Sequence, residues 1–147
     1  MPEKETLQRA AEDKREGKSA STQAGEFVRE EMDHIREGKH GAKNTKQAIA
    51  IGLNKARRAG VKLKPPKKGT TSAKTRKSAK SASRRAGQKT SSRRSKAVRG
   101  ALKKMPKSAA SRSALSKHAK AAARKRSSAS RSASARKAAR TRKQEAA

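Results

Sequence analysis

The chain contains no cysteine, tryptophan or tyrosine, and its single phenylalanine is Phe27. Without cysteine there is neither a disulfide framework nor thiol chemistry, which fits a reducing compartment. With one aromatic ring there is no platform for stacking bases, so recognition of single-stranded nucleic acid by that route is not expected. Large apolar residues are also scarce. Leu, Ile, Val and Phe total 12 of 147 residues, about 8%, against the roughly 20% below which disorder is expected. Burial yields only about 25 cal/mol per Å², while ordering a residue costs roughly 1–2 kcal/mol. Twelve such side chains do not offset the ordering of the whole chain. No apolar run approaches the roughly 18 residues of a membrane-spanning helix. The N-terminal stretch is acidic and lacks the apolar segment of a secretory signal, so a cytoplasmic protein is expected.

The scarcest charge is negative. Lys and Arg number 43 against 11 acids, for a net charge of +32. Ten of the acids lie within residues 1–37, and then 107 consecutive residues, 38–144, carry none. A chain so charged repels itself unless a polyanion neutralises it, which makes an anionic partner the first expectation.

Three zones follow. Residues 1–22 are acidic to mixed and predict a frayed helix over Glu3–Glu16. Pro2 and the acidic Glu3 and Glu5 suit its start, and Gly17 suits its end. Residues 23–63 predict a small helix-turn-helix-like hairpin. On a helical wheel, Val28, Met32 and Ile35 form an apolar stripe flanked by Phe27, and Glu26, Glu30, Asp33 and Glu37 form an acidic back. This acidic face is read as solvated, or as a dock for the chain's own basic tail. The glycines of Gly38–Gly41 break the helix. Asn44 then caps a second helix with Gln47 completing a capping box. Ile49, Leu53 and Ala56 are its stripe, Ala48, Gly52 and Ala59 its small-residue edge, and Gly60 its stop. Val61 and Leu63 are candidates to fold back over the pair, and a second copy is another. The nine large apolar residues from Phe27 to Leu63, Met32 included, mark the only candidate core.

Residues 64–147 are a Lys/Arg/Ala/Ser-rich low-complexity tail, disordered or transiently helical. From residue 65 on it holds 28 Lys and Arg and one acid. The weak apolar stripe of Val98, Leu102 and Met105 marks the best local helix, and Ser113–Lys125 marks another. The fold class expected is therefore mostly α with extensive disorder: a short helical hairpin plus a long basic tail.

The candidate nucleic-acid-binding residues are Arg57 and Arg58 of the hairpin and the cations of the tail. In the first half of the tail these are Lys67, Lys68, Lys74, Arg76, Lys77, Arg84, Arg85, Arg93, Arg94, Lys96, Arg99, Lys103 and Lys104. In the second half they are Arg112, Lys117, Lys120, Arg124, Lys125, Arg126, Arg131, Arg136, Lys137, Arg140, Arg142 and Lys143. If every tail charge met a phosphate, roughly 14 base pairs would be neutralised. An extended tail could span about 270–300 Å and link separate duplexes. Sequence-specific readout is not expected, because Arg57 and Arg58 stand at the end of their helix, whereas recognition helices read with their first turns. His34, His40 and His118 lack a cysteine partner or a second histidine at helical spacing, so no metal site is expected. No phosphate loop, nucleophile elbow or dinucleotide fingerprint occurs, so neither a cofactor nor enzymatic activity is expected.

The stretch Lys46, Gln47, Ala48, Ile49, Ala50, Ile51, Gly52, Leu53, with the preceding "REGKHG", resembles a short bacterial domain of unknown function. That family carries a K-Q-A-I-A-I-[GA]-L signature and occurs in small basic proteins, and the likeness covers about residues 23–63. The tail is similar in composition to the Lys/Ala-rich tails of linker-histone-like (H1-like) bacterial nucleoid proteins, but it uses more Arg and Ser and lacks their proline repeats. The domain family carries no established activity; the tail resemblance implies DNA compaction, and with the charge of the tail the expectation is a nucleoid-associated protein that binds duplex DNA non-specifically, with RNA as the second candidate ligand. The alternative is an adaptor tethered to RNA or ribosomes, whose hairpin binds a protein partner or a second copy of itself. A membrane partner is not expected, because the tail lacks the apolar face of an interfacial helix.

Overall fold

The computed structural model describes residues 2–145. They form seven α-helices and no β-strand: α1 (Lys4–Arg15), α2 (Ala20–Arg36), α3 (Thr45–Arg58), α4 (Ala73–Arg84), α5 (Ser92–Lys103), α6 (Arg112–Arg124) and α7 (Ser128–Glu145). A 3-10 turn, Lys107–Ala110, follows α5. The chain divides into two compact units, Met1–Ser111 and Arg112–Ala147. The boundary read at residue 64 lies inside the first of them.

The centre of the first unit is the α2–α3 pair. Ser19 caps α2 by accepting from the Thr22 N–H, and Asn44 caps α3 by accepting from the Gln47 N–H at 2.9 Å. Gln47 reaches back one residue further than a standard capping box, accepting the Lys43 N–H at 2.7 Å. Phe27, Met32 and Ile35 of α2 are buried, and Val28 is half-buried. The inner face of α3 is its small-residue edge: Ala48, Gly52 and Ala56 are buried, whereas Ile49 and Leu53 are half-buried and Ala59 is exposed. Small residues let the backbones approach closely, so few large side chains suffice. Leu53, Val61 and Leu63 pack against a buried cluster of Ala10, Ala24, Phe27 and Ala56. The segment after Gly60 thus folds back over the hairpin.

Helix α1 is held in place mainly by polar contacts. Its buried residues are Thr6, Ala10 and Asp13. Arg9 pairs with Glu26 at 2.6 Å. The Glu3 N–H donates to Glu30 at 3.1 Å, and the Glu3 carboxylate takes His34 at 2.8 Å and Lys39 at 3.1 Å. Hydrogen bonds from His34 and then Lys39 hold the Glu3 carboxyl down to about 2. The acidic back of α2 is therefore not a free face. Glu30 is 3% exposed, and Lys55 reaches it at 3.2 Å. Burial pushes its pKa up, but the Glu3 N–H, the Lys55 charge and the Thr6 hydroxyl outweigh that and hold it below the usual range. Glu26 and Glu30 are already engaged by α1 and α3, which removes half of the surface read as a dock for the tail.

The expectation of a disordered tail is corrected: from Ala73 onward the chain is largely helical. Two local effects that the composition obscures account for it. Serines supply N-caps, with Ser72 accepting from the Thr75 N–H and Ser127 from the Ser130 N–H, both at 3.2 Å. Such a cap contributes about 1 kcal/mol, whereas a like-charge pair one turn apart costs roughly 0.2–0.5 kcal/mol. Alanine, the best helix former, fills much of the rest. Some of these alanines also pack. Ala79 and Ala82 of α4 are buried, and Ala109 and Ala110 of the 3-10 turn are 4% and 0% exposed. The turn is bonded to the hairpin: Thr45 Oγ1 donates to the Ala109 carbonyl at 2.7 Å, and Arg36 Nε to the Ala110 carbonyl at 3.1 Å. The Gly41 and Ala42 N–H groups donate to the Leu102 and Pro106 carbonyls at 2.9 and 3.0 Å. A side chain at Gly41 would run into the Met105 carbonyl, so only glycine admits this approach.

Candidate nucleic-acid interface

The basic residues separate by environment. Arg57 is 6% exposed; its Nη2 donates to the Lys64 carbonyl at 3.5 Å, and its Nε has no partner. Burial pushes the Arg57 guanidinium down from its usual value. It belongs to the interior of the first unit and presents nothing to a polyanion. Arg58 is half-buried, donating to the Gln88 carbonyl at 2.7 Å and to Thr90 at 2.9 Å. Its own carbonyl accepts from the Gly87 N–H, so Arg58 fixes the α4–α5 connection to α3. Arg76 is half-buried against the Pro66 carbonyl at 3.2 Å. All the other candidate binding cations are exposed. Replacing Arg57 by Met is expected to leave the affinity for duplex DNA unchanged and the melting temperature equal or higher. A buried charge without a carboxylate partner is no asset to stability. A filter-binding titration and a thermal melt check both outcomes.

The exposed cations are arranged differently on each helix. At 100° per residue, the exposed Lys77, Lys80 and Arg84 of α4 fall within about 60° of one another, with the half-buried Arg76 beside them. The buried Ala79 and Ala82 lie on the other side. α4 is thus a helix with an alanine inner face and a cationic outer face. α5 has no buried residue and carries Arg93, Arg94, Lys96, Arg99 and Lys103. In the second unit, the α7 cations Arg131, Arg136, Lys137, Arg140, Arg142 and Lys143 spread over about 240° of the helix, leaving a sector of Ser130, Ser134, Ala138 and Thr141. The hydroxyls of Ser130 and Ser134 accept from Arg126, bracing the first turns of α7.

The carboxylates are spent elsewhere. The ion pairs found link Glu3, Glu5, Asp13, Glu16, Glu26, Glu30, Glu31, Asp33 and Glu37 to cations no later than Lys55. Among the described residues, no Lys or Arg after Lys55 has a carboxylate partner. Charge counting alone leaves open whether the early acids turn toward the basic segment; the pairing ties nine of them to cations of residues 9–55.

Sequence reasoning missed three things. Ala109 and Ala110 looked like ordinary tail. Lys55, which reaches both Glu30 and Glu31, was not singled out. Glu31 was not singled out either, although it is 0% exposed. It lines a cavity of about 630 Å³ with His34 and His40, walled on the far side by Val98 and Leu102 of α5. The spacing of Glu31 and His34 on α2 was a usable signal; the return of His40 through the Gly38 turn was not readable from spacing.

Residues 14–68 match a family of unknown function (DUF6496). The match takes in α2, α3 and the segment that folds back over them, and it leaves α4–α7 outside. Neither a curated protein nor a solved structure matches the chain. Among the described residues no helix is long and apolar enough to cross a membrane.

Proposed function

We propose that this protein binds duplex DNA without sequence preference and compacts it, in the manner of the H1-like nucleoid proteins, by neutralising phosphates with the exposed cations of α4–α7. The observation that carries this reading is the one-sided pairing of charge. Nine acids pair with cations no later than Lys55, and among the described residues no Lys or Arg beyond it has a carboxylate partner. A duplex offers one negative charge per about 1.7 Å of axis and a condensed counterion layer whose release drives binding. An α-helix fits the major groove in width, and α7, with cations over about 240° of its circumference, can meet phosphates over most of its surface. Nothing in α4–α7 supports a fixed set of side chains aimed at base edges, which fits binding without sequence preference.

The two units each carry cations, 12 Lys and Arg in the second alone, so one chain has charge enough to engage two duplexes. Helices shorten its reach relative to an extended tail, since each helical residue advances only about 1.5 Å. The adaptor reading is weaker. The apolar side of the α2–α3 pair is already covered by α1, Val61 and Leu63, leaving little for a protein partner.

The test is a salt series with the untagged full chain on two unrelated DNA duplexes and one RNA duplex, followed by light scattering of long linear DNA. The expected result is equal affinity for the two DNA sequences, a loss of several decades between about 50 and 200 mM salt, and condensation of the long DNA. Salt-insensitive binding, or a clear preference for RNA, overturns the reading.

A further inference from the structure

We infer that Glu31, His34 and His40 form a binding site for a divalent transition-metal ion of the zinc class, with its remaining coordination position open to the cavity beneath α5. Glu31 and His34 stand three residues apart on α2 and so share a face. Gly38, at φ +79°, turns the chain so that His40 comes back toward them. One ligand atom from each of the three lies within 4.8 Å of the other two. A zinc ion with bonds of about 2.0–2.2 Å to nitrogen and oxygen draws such atoms together with small side-chain movements.

The hydrogen bonds around the cluster prepare it for a cation. His34 Nε2 lies 2.8 Å from the Glu3 carboxylate and donates to it, which leaves the Nδ1 lone pair on the other side of the ring. His40 Nδ1 lies 3.1 Å from the Gly41 carbonyl. A carbonyl only accepts, so Nδ1 carries a proton, and Nε2 faces Glu31 Oε1, 3.1 Å away. Each histidine is thus oriented through its second nitrogen by a carboxylate or a carbonyl, as metal-bound histidines are. A nitrogen lone pair and a carboxylate oxygen at this distance repel unless a proton or a metal ion lies between them. Neither Glu31 oxygen has a hydrogen bond of acceptable geometry, although Lys55 Nζ is 2.7 Å from Oε2. Lys55 engages one oxygen and leaves Oε1 for the metal.

Around the ligand atoms, Glu3, Glu30 and Glu31 face Lys39 and Lys55, while Arg94, Arg99 and Lys103 of α5 line the cavity beyond them. Two imidazoles and one carboxylate without thiolate suit zinc, cobalt or nickel. The cavity beside them, also lined by Ile51, Val98 and Leu102, has room for a water or a small anion in the open position.

The site is tested on the untagged, chelator-treated full chain by titration with Zn²⁺ against a chromophoric competitor, and with Co²⁺ by visible absorption. The expected result is one ion per chain and a Co²⁺ spectrum with the intensity of a four-coordinate site. His34→Ala and His40→Ala each lower the affinity by at least about tenfold, and Glu3→Gln, which only orients His34, lowers it about tenfold. His118→Ala, in the second unit, leaves it unchanged. Imidazole ¹⁵N shifts of the unsubstituted chain supply a readout independent of whether the variants fold. His34 Nδ1 and His40 Nε2 move on adding Zn²⁺, and His118 does not. Absence of one-to-one binding, or shifts reporting only a proton on His40, overturns the proposal.

Discussion

Glutamine at the six cations of α7, Arg131, Arg136, Lys137, Arg140, Arg142 and Lys143, is expected to lower the slope of log K against log salt by about 5 and to flatten the salt response of DNA binding. Each cation that meets a phosphate releases roughly 0.9 counterion. Between about 50 and 200 mM salt the natural chain should therefore lose about three decades of affinity more than the variant. The size of the effect follows from exposure: all six side chains stand in solvent, and among the described residues none has a carboxylate partner. Glutamine keeps the length and most of the helix propensity, so circular dichroism should show α7 retained. The same exchange at Arg57 and Arg58 should alter the slope far less, since one is buried and the other is bonded to Gln88 and Thr90. Equal slopes for the natural and the α7-substituted chain would mean that phosphate neutralisation does not run through the second unit.

The helical hairpin was legible because its signals are local. Asn44 before an apolar-periodic run, Gly60 after it and the Gly38–Gly41 break all act within a few residues, and α2 and α3 follow them. Helix α1 was legible as a helix but not as a packed one. A chain segment with Leu7 and scattered alanines looks unable to dock, and Leu7 is indeed 40% exposed. The docking uses Arg9–Glu26 and the Glu3 contacts, pairings 17 to 36 residues apart that no periodicity reports. The tail was misjudged for a related reason. Composition sums over many residues, while helix formation depends on where each residue stands. A serine ahead of an alanine-rich run is a cap, and the same serine elsewhere is only a polar residue. The site histidines stayed hidden because His34 and His40 meet across a glycine turn rather than along one helix face.

Substituting alanine for glycine should have opposite effects at two positions of the hairpin. In an open helix, Gly→Ala stabilises by up to about 1 kcal/mol through backbone entropy and propensity. Gly25 in α2 is such a case: a Cβ there meets nothing within 4 Å. Gly25→Ala is therefore expected to raise the stability of the first unit by about 0.5–1 kcal/mol. Gly52 in α3 gains the same propensity and loses more. A Cβ built there lies 2.7 Å from the Val28 Cα and 3.0 Å from the Phe27 carbonyl oxygen, both backbone atoms of α2. Backbone cannot rotate away as a side-chain tip can, so the two helices must separate. Ala48 and Ala56, each 0% exposed on the same face of α3, would lose their close packing with them. Overpacking of this kind costs roughly 1–3 kcal/mol and occasionally more, which outweighs the propensity gain. Gly52→Ala should thus be net destabilising, and Gly52→Leu should prevent the hairpin from forming. Urea denaturation followed by far-ultraviolet circular dichroism measures both signs in one experiment. Stabilisation by both alanines would place α3 away from Val28 and remove the close approach on which a core with so few large apolar side chains depends.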